Sequence, residues 1–211
     1  MTRRSILWFL LAVAGVGGAF YARAEFPRAF SILSLDLKMD RPAALAAAER
    51  LSTERGWSPG ADARTAVLFD FDDRAQTFIE LEGGGAEVFK QAVRDGIHHA
   101  YRWKVRRFAA EEIGETTVEF APDGTPLGFE EKVAEDAAGP ALVRDTARQL
   151  AEQAAGAQWA VDLVDYTPIE AAEETRHNGR VDHTFVYEAV DQPLGAGRLR
   201  LRMVVTGDRV T

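Results

Sequence analysis

Residues 5–22 read SILWFLLAVAGVGGAFYA and hold eighteen positions without a charge, directly after a pair of arginines. A membrane-spanning helix needs about 20 mostly apolar residues, so this stretch has nearly the required length. Trp8 and Tyr21 lie near its two ends, where aromatic side chains anchor membrane helices at the interface. Every face of the helix is apolar, so there is no amphipathic stripe to indicate a buried core helix. The stretch therefore predicts a membrane anchor within residues 1–24.

The same stretch also fits a secretory signal peptide, which combines a basic start, an apolar run and a small-x-small cleavage site. Ala22-Arg23-Ala24 matches such a site, with cleavage before Glu25. The length favours the uncleaved anchor, but both alternatives stay open. For an anchor, the short basic head and the long acidic body favour a single-pass cell-membrane protein with its body on the extracytoplasmic side.

The amino-acid composition excludes some classes of partner for the body of the protein. The 211 residues carry a formal net charge of −8, and residues 1–28 hold four Arg and one Glu, so the rest carries −11. An acidic body argues against nucleic acid, whose phosphates need basic patches, and against lying flat on anionic lipid. The chain has no Cys, which excludes disulfides, thiolate metal sites and a cysteine nucleophile.

The body predicts an α+β fold in which helices pack on antiparallel sheets. A strand at Ile32–Leu37 precedes a helix that begins at the N-cap Asp40 and ends at Gly56. Alternation then predicts the strands Arg64–Phe71, Gln76–Leu81, Ile97–Phe108, Thr116–Phe120 and Leu127–Val133, with a short helix at Glu87–Asp95. A helix at Leu142–Ala155 precedes the predicted strands Trp159–Asp165, Ile169–His177, Arg180–Val190 and Arg198–Val205. The order predicts two similar α+β units, residues 25–138 and 139–211, although a single continuous sheet is equally allowed.

Two turns carry further expectations. Asn178-Gly179 between two strand patterns predicts a two-residue hairpin, in which Glu174 would pair with His183. After the turn at Thr206-Gly207-Asp208, a new alternating run begins. We therefore expect the second unit to be truncated and the strand Arg198–Val205 to have an unpaired edge.

The four histidines do not form a metal site in the sequence pattern. His98 and His99 are neighbours on a predicted strand and would point to opposite faces. His177 and His183 would fall on opposite faces of their hairpin, and no His-Glu-x-x-His stretch exists. We therefore expect surface or salt-bridged histidines and no metal.

The other chemically suggestive residues are better explained by structure. The acidic pairs Glu111-Glu112, Glu130-Glu131 and Glu173-Glu174 would diverge on a strand, and Asp70, Asp72 and Asp73 lack the spacing of a calcium loop. Gly83-Gly84-Gly85 indicates a turn because no phosphate-loop pattern follows. In Tyr101-Arg102-Trp103-Lys104, alternation places the aromatic rings and Val105 on the core face, so Arg102, Lys104 and Arg106 would face the acidic groups.

Several short stretches resemble a known family: Phe26-Pro27-x-Ala29-Phe30, Leu35-x-Leu37-x-Met39-Asp40-Arg41, Gly128-Phe129-Glu130, Glu135-Asp136-Ala137-Ala138-Gly139, Ala147-Arg148-x-Leu150-Ala151 and Gly207-Asp208-Arg209-Val210. Residues 25–211 are similar to the N-terminal extracytoplasmic region of large bacterial CPBP-type intramembrane metallopeptidases, which resemble CAAX-prenyl proteases, and to PepSY-like modules. The family's catalytic pattern is Glu-Glu-x-x-x-Arg. The nearest stretch, Glu173-Glu174-Thr175-Arg176, has its Arg too early, so no catalytic residue carries over. The resemblance implies that the peptidase part lies downstream.

These observations lead to two functional hypotheses. The first is a tethered extracytoplasmic accessory domain that contacts a protein or peptide partner. The second is a periplasmic binding or enzyme domain released by cleavage after Ala24. With no catalytic residue, cofactor or metal ligand assigned, we expect the chain alone to hydrolyse nothing. We also expect the edge of Arg198–Val205 to be its contact surface.

Overall fold

The computed structural model describes residues 3–29, 37–57, 59, 63–190 and 197–211, and forms two compact units, Met1–Leu37 and Lys38–Thr211. The first unit contains helix α1, Arg3–Ala29. The segment Arg3–Glu25 is long and apolar enough to cross a membrane, or to be a signal sequence, and none of it is buried. The expected helix is thus confirmed, and it continues five residues past the predicted end at position 24. The strand expected at Ile32–Leu37 lies outside the described residues except for its last position.

The second unit is an α+β fold with two four-stranded antiparallel sheets, as the sequence predicts. Sheet A contains β1–β4 and sheet B contains β5–β8, each in chain order. The helices are α2 Arg41–Arg55, α3 Asp73–Leu81, α4 Ala86–Arg94 and α5 Arg144–Trp159. The strands are β1 Arg64–Phe71, β2 Tyr101–Phe108, β3 Glu115–Phe120, β4 Pro126–Lys132, β5 Tyr166–Thr175, β6 Val181–Ala189, β7 Arg200–Thr206 and β8 Arg209–Val210.

Helix α2 covers one face of sheet A. Asp40 caps its first turn by accepting a hydrogen bond from the Ala43 amide at 2.9 Å, and Gly56 ends it in a left-handed conformation. Its small buried residues recur at helical spacing, which lets the helix lie close to the sheet. The core beneath consists of Ala44, Ala47, Ala48, Trp57, Val105, Val118 and Phe120.

Helix α5 covers sheet B in the same way. Three of its four buried alanines, at positions 147, 151 and 155, pack on Phe185, Tyr187, Met203 and Val205. The helix begins two residues later and ends four residues later than the sequence predicts. Trp159 therefore belongs to α5, and a single 3₁₀ turn at Leu163–Asp165 replaces the strand expected there.

The segment between β1 and β2 differs most from the prediction. Gln76–Leu81 is not a strand but part of α3, because Asp72 caps a helix by accepting a hydrogen bond from the Ala75 amide at 3.0 Å. Ile79 of α3 and Phe89 of α4 then form a small core of their own. Gly83-Gly84-Gly85 is the expected turn, and it joins the two helices.

The hairpin of sheet B has a different register from the predicted one. Arg176 donates its amide hydrogen to the Arg180 carbonyl at 2.8 Å, so the loop has three residues, 177–179. Gly179, with φ of 87°, occupies the left-handed position of such a loop. Glu173 therefore pairs with His183, and the expected pairing of Glu174 with His183 is wrong by one position.

The edge expected along Arg198–Val205 is partly covered. Strand β8 pairs with the end of β7, Val205 with Val210 and Thr206 with Arg209. The Thr211 amide also donates to the Val204 carbonyl at 3.0 Å. The prediction that this is the open edge of the second unit is therefore wrong for its last residues, because the chain turns back at Gly207.

An aromatic stack and an ion pair join the two sheets. Trp57 stacks on Phe129 with ring centroids 4.3 Å apart, and Phe129 stacks on Trp159 of α5 at 5.2 Å. Arg209 of β8 donates to both carboxylate oxygens of Glu131 of β4, at 2.9 and 2.7 Å. These contacts place both sheets in one compact unit, and the predicted domain boundary after Ala138 stays a prediction.

Candidate functional surfaces

A row of charged side chains, here called the charge ladder, lies on the face of sheet A that α2 leaves open. Arg102 donates to Asp72 at 2.7 Å and to Glu119 at 3.2 Å. Lys104 lies 3.1 Å from Asp70 and 3.4 Å from Glu119. These side chains are between 22% and 34% exposed. The prediction that the basic residues of β2 face acidic groups is confirmed, and Val105 lies on the core face as expected.

The ladder stabilises the charged forms of Asp72 and Lys104. Burial by itself would raise the pKa of Asp72, but the Ala75 amide and the Arg102 guanidinium together bring the pKa below its usual value. The hydrogen bond to Asp70 raises the pKa of Lys104, with help from Glu119 and against a smaller effect of burial. The two basic and three acidic side chains of the ladder thus contact one another, and the ladder is a structural network.

His98 and His99 lie beside the ladder but not on a strand, contrary to the prediction. They follow α4, and the amides of Ile97 and His98 donate to the Ala92 carbonyl, which sets the path of this segment. Burial lowers the pKa of both imidazoles, against the opposing charges of Asp72 and Asp123 respectively. Both rings are therefore neutral near pH 7.

His177 and His183 lie in different surroundings. His183 is 1% exposed, and its Nε2 lies 2.9 Å from the Leu142 carbonyl just before α5. The expectation of a surface or salt-bridged histidine is therefore wrong for His183, because it lies on the same face of β6 as Phe185 and Tyr187, which packs against α5. His177 is exposed in the hairpin loop. Among the described residues, no group of three or more His, Cys, Asp or Glu could hold a metal ion.

The acidic pairs separate into exposed and buried members. Glu111, Glu112 and Glu130 are exposed. Glu173 binds Arg144 at 3.0 Å and Glu174 binds Arg176 at 2.8 Å, both near the surface. The Glu131 side chain is only 1% exposed, because alternation places it on the face of β4 that also carries Phe129, while Glu130 points to the opposite face. Asp73 lies in the first turn of α3, where a carboxylate favours the helix N-terminus.

A second set of charges, here called the buried ion cluster, ties the hairpin of sheet B to the segment before α5. Arg180 donates to both oxygens of Asp182, at 2.9 and 3.1 Å, and its Nη1 donates to the carbonyls of Ala134 and Ala137. Arg176 binds the same carboxylate at 2.7 Å. The Arg180 and Asp182 side chains are 3% and 10% exposed. The alternation Arg180-x-Asp182 on one face of a strand is the one sequence signal that points to this pair.

Neither set of charges contains a nucleophile with a base in hydrogen-bond reach, and both are internally paired. Comparison of the chain with protein-family models, with curated proteins and with solved structures finds no match. The likeness to CPBP-type peptidases consequently rests on the short stretches quoted above. Helix α1 and the surfaces of the body are the features that bear on the function.

Proposed function

We propose that this chain is a membrane-anchored extracytoplasmic accessory or interaction domain. The observation that carries the proposal is α1, whose described side chains from Arg3 to Ala24 are all exposed. Large apolar residues on every side of this helix, including Leu7, Phe9 and Phe20, are more than half exposed. Exposed apolar surface of this extent marks a contact with lipid or with another protein.

The dimensions of α1 match a bilayer. The 23 residues of Arg3–Glu25 rise 1.5 Å each, which gives about 35 Å, against a hydrocarbon core of about 30 Å. The sidedness of the body is argued from charge. Arg3 and Arg4 precede the apolar run, and Arg23 and Arg28 follow it. The contrast between the very short basic head and the long acidic body supports a cytoplasmic N-terminus and an extracytoplasmic body.

The proposed role as an accessory domain rests on how the charged side chains of the body are paired. The charged side chains within each cluster are paired with one another and stabilise the fold, and the remaining surface is available for contacts with a protein or peptide. The resemblance to the N-terminal region of CPBP-type enzymes supports a more specific proposal, in which this region belongs to a larger intramembrane metallopeptidase and the chain itself carries out no hydrolysis.

Membrane fractionation of the full chain tests the anchor. We expect the chain to remain in the membrane pellet after an alkaline carbonate wash, with its first residues intact by mass spectrometry. Val13→Arg places a charge in the middle of α1 and should release the chain, since a charge at the bilayer centre costs about 3 kcal/mol on insertion scales. Val164→Arg is the matched control, because Val164 is exposed on the body. Equal release of both variants, or of neither, would contradict the proposal.

A second candidate is a domain released after Ala24. The small residues Ala22 and Ala24 are exposed on α1, which leaves the cleavage site accessible. The same mass measurement distinguishes the candidates, because a mature chain that begins at Glu25 supports release and an intact N-terminus in the membrane excludes it. Protease added to sealed cells or spheroplasts then reports whether the body faces outward.

A further inference from the structure

Strand β1 and strand β5 are the outer strands of the two sheets on the sides away from the joint. Within the described residues, β1 pairs only with β2 and β5 pairs only with β6. The outer strand β4 of sheet A takes part in the joint through Glu131, and β8 of sheet B does so through Arg209. An unpaired edge exposes backbone donors and acceptors that can pair with another strand, so natural proteins usually protect it.

Strand β5 has the usual protections. Pro168 cannot donate a backbone hydrogen bond, and the register shifts between Pro168 and Glu170. Three glutamates, at positions 170, 173 and 174, line the strand. In a two-fold pairing of β5 with a second copy centred on Ala172, Glu170 would oppose Glu174, and like charges directly opposite each other are destabilising. Strand β5 is therefore protected against a second copy of this chain.

Strand β1 has none of these protections. Its eight residues, RTAVLFDF, contain no proline and pair with β2 without a register shift. The side chain of Leu68 is 58% exposed in the middle of the strand. The only charged residues are Arg64 at the start and Asp70 near the end. A regular, largely apolar edge strand of this kind is a site for strand pairing.

We infer that β1 pairs antiparallel with β1 of a second copy of this chain, around a two-fold axis at Val67. In this register Arg64 opposes Asp70 of the other copy, and the exposed Leu68 opposes the small Ala66. Both complementary pairs occur twice, as a two-fold interface requires. Each pair joins two even-numbered or two odd-numbered residues. The backbone N–H and C=O groups that point away from β2 therefore lie opposite each other in the two copies, whichever set of residues carries them.

The charge ladder gives a second argument for this register. Asp70 lies 3.1 Å from Lys104, and a carboxylate can accept a further hydrogen bond from an arginine. Arg64 is exposed and is available for that contact. Shifting the register by two residues places Asp70 opposite Ala66 or moves it beyond the paired strand, and the charge pairs are lost. The proposed pairing therefore joins the two copies of sheet A into one continuous eight-stranded sheet. Acidic and basic side chains alternate across this sheet in both copies.

The test measures the mass of the full chain in a non-ionic detergent by light scattering across a concentration series. We expect a dimer, with Arg64→Asp and Asp70→Arg each weakening association about tenfold or more, because two attractive pairs become repulsive. Mixing the two variants should restore association as a heterodimer, since each pair then again joins an acidic residue of one chain to a basic residue of the other. Glu170→Lys on β5 is the matched control and should leave the dimer unchanged.

Cross-linking tests the register without changing a charge, and the absence of native cysteines gives a clean background. Chains with Ala66→Cys mixed with chains with Leu68→Cys should form a disulfide-linked dimer faster than either does alone, and Ala172→Cys on β5 should form none. A monomer at all concentrations would overturn the inference. A dimer that both charge variants leave intact would also overturn the inference, because it would assign the association to α1. The inference would likewise fail if the β1 edge pairs only with a strand of another protein.

Discussion

The charge ladder of sheet A and the buried ion cluster of sheet B contain similar residues in different surroundings. In the ladder, Arg102 and Lys104 keep about a quarter to a third of their surface in water. In the cluster, Arg180 is almost completely buried and depends on one carboxylate and two backbone carbonyls. Water can replace a lost partner in the ladder but not in the cluster. We therefore expect the same type of substitution to have different effects in the two regions.

The largest effect is expected for Asp182→Ala. The substitution leaves the buried Arg180 and the neighbouring Arg176 without their shared carboxylate, and an uncompensated buried charge costs about 3–5 kcal/mol. Urea unfolding of the full chain in detergent, followed by circular dichroism, measures the change. Glu174→Ala removes an exposed partner of the same Arg176 and is the matched control, with an expected loss below about 1 kcal/mol.

The pH dependence of stability tests the same difference between the two regions. Burial would raise the pKa of Asp182, but hydrogen bonds from Arg180 and Arg176 bring it below its ordinary value of 3.8. A carboxyl whose pKa is lower in the folded state stabilises the fold above the unfolded pKa, and this stability is lost as the pH falls through the folded pKa. We expect the unfolding free energy to decline below about pH 4, with a shallower decline in Asp182→Asn. Identical acid profiles would show that Asp182 is not the group that titrates.

Gly139→Ala should have the next largest effect. A Cβ at this position would lie 2.6 Å from the Cδ of Arg180, which its hydrogen bonds hold in place. The crowding should cost about 1–3 kcal/mol of unfolding free energy. Gly156→Ala in α5 is the control, since its nearest neighbour is 3.9 Å away, and it should be neutral or stabilising. A neutral Gly139→Ala would show that the cluster can shift.

In the ladder, Asp72 should be the most sensitive residue because it has two roles. Asp72→Ala removes both the cap of α3 and the Arg102 partner and should cost about 1–2 kcal/mol. Asp72→Asn keeps an oxygen for the cap and loses only the charge, so it should cost clearly less. Thermal unfolding of the two variants separates the roles, and equal losses would assign the whole effect to the charge.

The smallest effect is expected for Lys104→Ala. Lys104 binds Asp70 and Glu119 near the surface, and exposed ion pairs contribute about 0–1 kcal/mol. Adding salt should reduce this contribution and leave the effect of Asp182→Ala nearly unchanged, because buried pairs are screened less. Unfolding at low and high ionic strength checks both expectations. An equal salt dependence would remove the distinction between the two regions.

Much of the fold and part of the charge ladder follow from local patterns. Alternation correctly places Arg102 and Lys104 opposite the core face of β2, and capping residues correctly place α2. Alternation misassigns α3 because Gln76–Leu81 is too short for periodicity to decide, and the N-cap at Asp72 belongs to an acidic run that suggests another role. The buried ion cluster could not be predicted from residue polarity, since both Arg176 and Arg180 are arginines beside the same turn and only Arg180 is almost completely buried.

Composition and the periodicities of two and 3.6 residues are enough to predict the apolar helix α1, the acidic α+β body and the repeated order of a helix followed by strands. The burial of Glu131, Asp182 and His183, and the strand edges that stay unpaired among the described residues, depend on how the helices and sheets pack together. Alternation assigns a residue to a face of a sheet, but the loop of a hairpin sets the register, and the packing of one sheet against another determines which polar groups lose water.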